Sequence, residues 1–364
     1  MPFTLQENRM RIFNIQRPAP HLSEALQAKI DNLNKPRGSL GRLEELAFQI
    51  GLIQQTLSPA LRHPCHLLLG GDHGIERESV SVSPREVTWQ QMINFSRGGG
   101  GVNMFCRQHR FDLTIVDMGV DYDLTPYPDI LNCKVARGTR NFLHEPAMSC
   151  EQLDRAIDCG AMLVDRCVEK GCNIISIGEM GIANTSPSSI WMSLLGHIPL
   201  DECIGAGAGL DAKSIEHKRI VLQKAVDNFH RCHTPFPPMP STGEVEEIIR
   251  HFGGFEMVGA IGAMLRAAEH HLTVLVDGFI MGACALAATR LYPDSLHYMI
   301  FGHCGEENGH RKMLSLMQAR PLLQLGMRLG EGTGALCAYP IIESAIRMIN
   351  EMNNFENAHI TKYF

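Results

Sequence analysis

Five short apolar runs, each closed by a glycine-rich or acidic turn, constrain this chain more than anything else in it. They are 66–69 before Gly70-Gly71-Asp72-His73-Gly74, 113–116 before Asp117-Met118-Gly119, 173–177 before Gly178-Glu179-Met180-Gly181, 273–276 before Asp277-Gly278, and 298–301 before Gly302-His303. Helical patterns separate most of them. Uninterrupted apolar strands alternating with helices predict an α/β fold, a parallel sheet covered on both faces. In such sheets ligands bind outside the carboxyl ends of the strands, where these Gly, Asp, Glu and His residues fall.

Both chain ends read differently. Ser23 is placed to cap a helix with Leu26, Ile30 and Leu33, and Ser39 one with Leu43, Leu46 and Ile50. From Pro340 onward Ile342, Ile346, Ile349 and Met352 resume the helical period. The economical layout packs residues 1–60 and 340–364 together as a small helical domain. Residues 61–339 then form a large α/β domain. A chain of 364 residues accommodates that division. The stretch 233–243, with four prolines, reads as a stiff loop.

Composition excludes several functions. Net charge is -6, from 39 acidic and 33 basic residues, and no basic run stands out. That disfavours nucleic acid and anionic membrane surfaces, which need clustered Lys and Arg. The longest apolar stretch, 273–289, is interrupted by Asp277 and two glycines, so it reads as a strand running into a helix rather than a membrane span. Twelve cysteines include no C-x-x-C pair, and the N-terminus lacks a signal-peptide core, which together predict reduced thiols in a cytoplasmic protein. Seventeen histidines include no H-E-x-x-H, so no metal is expected.

Four segments could carry chemistry. In 178–186, Ser186 suits an N-cap, Pro187 a first helical position and Gly196 the helix end, and a helix start there would attract phosphate. A tight turn using glycine for backbone reasons is the alternative. In 205–211, alternate glycines precede Asp211, a second cap, and Lys218 follows in the helix. Lys218 would serve as a phosphate cation or, more plainly, as a solvated helix charge. In 329–334, Glu331 stands between glycines before an apolar segment, which would raise its pKa toward that of a general base. A surface-loop glutamate is the plainer reading. In 70–103, the glycines 98–101 make sense where backbone passes a ligand or another helix, or as a flexible linker.

Together these segments resemble one family, the nicotinate mononucleotide:dimethylbenzimidazole phosphoribosyltransferases of cobalamin nucleotide-loop assembly. The resemblance spans about residues 23–355. It is carried by the run Lys35 to Glu44 (KPRGSLGRLE), Gly71-Asp72-His73-Gly74, Val87-Thr88 with Gln90, Gly178-Glu179-Met180-Gly181, Asn184-Thr185, Gly253-Gly254-Phe255-Glu256, Asp277-Gly278-Phe279-Ile280, Gly309-His310-Arg311 and the run Arg328 to Gly334 (RLGEGTG). Each is short; their order and spacing are specific.

The resemblance implies a homodimer whose subunit has a large Rossmann-like α/β domain, residues 61–339, carrying the active site, and a small helical domain built from both chain ends. It implies transfer of the ribose phosphate of nicotinate mononucleotide to a benzimidazole-type base, with inversion, giving an α-ribotide and nicotinate without a cofactor. It implies Glu331 as the base, with Glu179 assisting at the ribose or leaving group. Ser81, Gln90, Met180 and Leu329 would form the base pocket. Gly181, Asn184, Thr185, Gly207, Gly209 and Lys218 would hold phosphate and ribose. The chain departs from the family pattern at Ala183, at Ala208 and at the glycines 98–101, which bears on the acceptor base more than on the reaction. A pyrophosphate-using phosphoribosyltransferase would show two acids after its strand, where this chain has Asp277 alone. A dinucleotide dehydrogenase would show G-x-G-x-x-G. A non-catalytic nucleotide-binding protein on this scaffold is the remaining rival, and Glu331 speaks against it.

Overall fold

A computed structural model describes residues 10–205, 207, 209–233 and 240–362. Six parallel strands form one sheet among these residues: β1 (Cys65–Gly71), β2 (Asp112–Gly119), β3 (Ile130–Asn132), β4 (Ile174–Met180), β5 (Thr273–Val276) and β6 (Met299–Phe301). Their order is β3-β2-β1-β4-β5-β6, the doubly wound Rossmann order. Every β1 and β5 position is buried, which is why both read as unbroken apolar runs.

Alternate residues of each strand feed opposite cores. Leu67, Leu69, Ile175, Ile177, Val274 and Val276 pack on one side, with the helices Cys150–Glu169 and Phe255–Glu269. Leu68, Ile174, Leu275 and Ile300 pack on the other, with Leu26, Ile30, Leu46, Ile50, Ile342 and Ile346 from the helices of both chain ends. The ends also meet directly: Asn34 N donates to Asn353 O at 2.8 Å.

Details differ from the sequence reading. The three-residue edge strand β3 gave no apolar signal. The helix Thr333–Glu351 starts before Pro340 and runs through it. Ser23 is the first residue of its helix rather than the cap, and Gly41 (φ 49°), not Ser39, precedes the helix Arg42–Ile53. The helix Thr185–Gly196 starts after Asn184, so Ser186 and Pro187 lie inside its first turn. Of the proline-rich stretch, positions 234–239 lie outside the described residues, as does Ala208. Thr242 and Gly243 already belong to the helix Thr242–Phe252, which Ser241 caps.

Candidate active site

β1 and β4 leave the sheet side by side, with Gly70 opposite Met180, at the point where the strand order reverses. A cleft opens beside the β4 end. One wall is the start of the helix Thr185–Gly196. Gly181, Ala183, Asn184 and Thr185 line it, with Gly207 opposite. Lys218 stands behind: it is 1% exposed and donates from Nζ to Thr185 Oγ1 at 2.8 Å. It is therefore no solvated helix charge. Burial brings its pKa down to about 8, against the pull of Glu307. Helix N–H groups, a hydroxyl and a buried ammonium make an anion cradle. Ala183 holds φ 74°, the left-handed conformation that favours glycine.

Glu179 and Met180, at the end of β4, form the floor. Asn184 Nδ2 donates to Glu179 Oε2. Burial pushes the Glu179 carboxyl up to about 8; the Asn184 hydrogen bond opposes this, and Glu256, Asp277 and Glu331 reinforce it. That shift favours the protonated acid at neutral pH. Gly330 (φ 84°) leaves room for it, since a Cβ there would lie 2.5 Å from Glu179 Oε1. Ser81 and the 62% exposed Leu329 stand at the mouth.

A third wall comes from the ends of β5 and β6. Asp277, Gly278, Phe279 and His303 line it. Asp277 Oδ1 accepts Ala335 N–H at 2.9 Å and faces His303 Nε2 at 3.5 Å.

Glu331 lies directly after the lining residues Leu329 and Gly330, is 8% exposed, and does not itself line the cleft. Its backbone is left-handed, φ 61°. Oε2 accepts the N–H of Val102 at 2.9 Å, at the start of the helix Gly101–His109. Burial raises its pKa, against the N–H groups of Val102 and Gly101. Below it, His66, whose pKa burial lowers to about 4, is neutral and donates from Nε2 to the Glu331 carbonyl at 3.1 Å.

The cleft therefore gathers Ser81, Glu179, Met180, Gly181, Asn184, Thr185, Gly207 and Leu329. Gln90 is exposed on the helix Glu86–Ser96 and does not line it, and Gly209 does not line it either. Asp277, His303, Glu307 and Arg328 line the cleft but were not singled out as site residues. Their signal was present for two of them: each immediately follows a strand run or one glycine beyond it.

A doubly wound parallel sheet with an anion cradle beside its switch point defines a nucleotide-handling α/β enzyme. A family model described as "Phosphoribosyltransferase" matches residues 15–360. The nicotinate-nucleotide-dimethylbenzimidazole phosphoribosyltransferase of Bacteroides fragilis (strain YCH46) is 58% identical over 355 residues, 98% of this chain and 100% of that one. The protein of the same name from Dechloromonas aromatica (strain RCB) is 44% identical over 352 residues, 97% of this chain and 99% of that one. The crystal structure of CobT from Thermus thermophilus superposes with a TM-score of 0.88 at 32% identity, covering 94% of this chain and all of that one. The chain belongs to the phosphoribosyltransferase family of these nicotinate-nucleotide:dimethylbenzimidazole enzymes.

Proposed function

We propose that the cleft transfers the phosphoribosyl group of nicotinate mononucleotide to dimethylbenzimidazole or a related base. The products are α-ribazole 5′-phosphate and nicotinate, a step of cobalamin nucleotide-loop assembly. The observation that carries this reading is the pairing of one anion cradle, at Thr185 and Lys218, with two acids of raised pKa, Glu179 and Glu331.

The donor's base is already a pyridinium, so its departure removes a positive charge, and there is no pyrophosphate to stabilise. The chemistry calls for a base toward the acceptor N–H. Glu331 fills that role, its anion steadied by the helix start at Gly101 and Val102. Glu179, protonated, hydrogen-bonds the ribose or the departing ring. Ser81, Met180 and Leu329 receive the acceptor. Gly181, Asn184, Thr185 and Gly207, with Lys218 behind, hold the phosphate.

We further propose a cytoplasmic homodimer whose terminal helices act as a small domain. Among the described residues no helix is long and apolar enough to cross a membrane.

The test is to incubate the purified protein with nicotinate mononucleotide and a panel of benzimidazoles, purines and phenols. Mass spectrometry should find a benzimidazole α-ribotide and equimolar nicotinate. No ribotide from any acceptor would contradict the proposal.

A further inference from the structure

The wall formed by Asp277 and His303 has no part in the assignments above. Asp277 follows β5 directly, is 3% exposed, and lines the cleft. Its Oδ1 is engaged by Ala335 N–H and faces the His303 ring, while its Oδ2 has no hydrogen-bond partner among the described residues. His303 is also buried, and its Nδ1 is unpartnered among those residues. Glycines hold the imidazole in place. A Cβ on Gly334 would lie 1.9 Å from His303 Cδ2, and one on Gly278 would lie 2.9 Å from Nε2. A carboxylate this well braced, with one oxygen left over beside a cleft, is an acceptor waiting for a donor.

The donor substrate narrows the choice. Its phosphate and its pyridine carboxylate are anions, which a carboxylate repels. Its ribose diol alone offers O–H donors. We propose that Asp277, braced by His303, accepts hydrogen bonds from the ribose hydroxyls of the donor and so makes the enzyme selective for ribosyl over deoxyribosyl nucleotides. This rests on the function proposed above and adds a specificity-determining residue to it. The same carboxylate faces the sugar as positive charge develops on it during transfer, which adds electrostatic stabilisation.

The test compares kcat/KM for nicotinate mononucleotide with that for its 2′-deoxy and 3′-deoxy analogues. The wild-type enzyme should lose roughly 10–100-fold on at least one analogue, the range of a hydrogen bond to a charged group. Asp277→Asn keeps an oxygen for Ala335 N–H. It should slow the ribosyl donor by a similar factor and bring the ratio between donors to within about threefold. His303→Asn, a smaller side chain in the same glycine cage, should shrink the ratio in part, and it decides the matter if Asp277→Asn does not fold. A wild-type enzyme indifferent to the analogues overturns the proposal. So does an unchanged ratio in the variant that folds, or a change confined to the acceptor's KM. Wild-type failure to form any ribotide from the intact donor would instead sink the proposed function, and this inference with it.

Discussion

Glu331 Oε2 accepts the N–H of Val102 at 2.9 Å, across 229 positions of sequence. The contact places the last candidate base of the chain on the start of the helix Gly101–His109, at the end of the glycine run 98–101. It explains that run better than flexibility does. A Cβ on Gly101 would lie 3.0 Å from Leu329 Cδ2 and 3.2 Å from Glu331 Oε2, so the absent side chain lets two distant segments close on each other.

Glu179 should govern the alkaline limb of the reaction. Its carboxyl titrates at about 8 in the folded protein. The protonated form is the hydrogen-bond donor, so kcat should fall as pH rises through 8, and Glu179→Gln, which still accepts from Asn184, should flatten that limb. The same shift has a stability consequence. The unfolded chain loses this proton near its ordinary value while the folded protein keeps it to about 8. Wild-type stability should therefore fall, relative to the Gln variant, as pH rises from about 4.5 toward 8. Melting temperatures across that range check the sign.

Lys218 should act on binding. Buried beneath Thr185, it loses its charge near pH 8. Lys218→Met, close in length and uncharged, should raise KM for nicotinate mononucleotide by roughly 10–100-fold, the loss of one charged hydrogen-bonding partner. Wild-type KM for the donor should also rise above pH 8, while KM for the acceptor stays level. Steady-state kinetics on both substrates separate the two.

Gly178 should tolerate no side chain. A Cβ there would lie 2.3 Å from the Glu331 carbonyl oxygen and 2.6 Å from Gly332 N, all backbone that cannot swing aside. Gly178→Ala should cost about 1–3 kcal/mol of stability and lower turnover by displacing Glu331. Denaturant unfolding and kcat measure both effects.

Ala183 should behave in the opposite way. It occupies the left-handed region at φ 74°, which favours glycine. Ala183→Gly should relieve about 0.5–1 kcal/mol of backbone strain, the αL cost less the entropy glycine adds to the unfolded chain, with activity retained. Thermal unfolding checks this.

Much of the frame was legible because parallel strands buried on both faces must be apolar throughout. β1, β2, β4, β5 and β6 announced themselves in that way. β3 escaped because Ile130–Asn132 is a short edge strand with one buried position. The helix start near Pro340 was misplaced because proline reads as a break, yet here it sits inside the helix with Ser344 Oγ donating to its carbonyl at 2.7 Å. In the site, the chain-local features were readable: a helix start beside Thr185, a lone acid among glycines at Glu331. The burial of Lys218 and the meeting of Asp277 with His303 were not, although each of those two residues sits readably at a strand end. They depend on helices and strands far apart in sequence arriving at one cleft, and no local pattern encodes that meeting.

Glu331 is the residue proposed to remove the acceptor's proton. The direct measurement is single-turnover transfer from nicotinate mononucleotide to dimethylbenzimidazole by Glu331→Gln, which retains an oxygen for Val102 N–H. The rate should drop by on the order of 10²–10⁴ with both substrates still bound, as calorimetry would show. Transfer at close to the wild-type rate would remove Glu331 from the role of base.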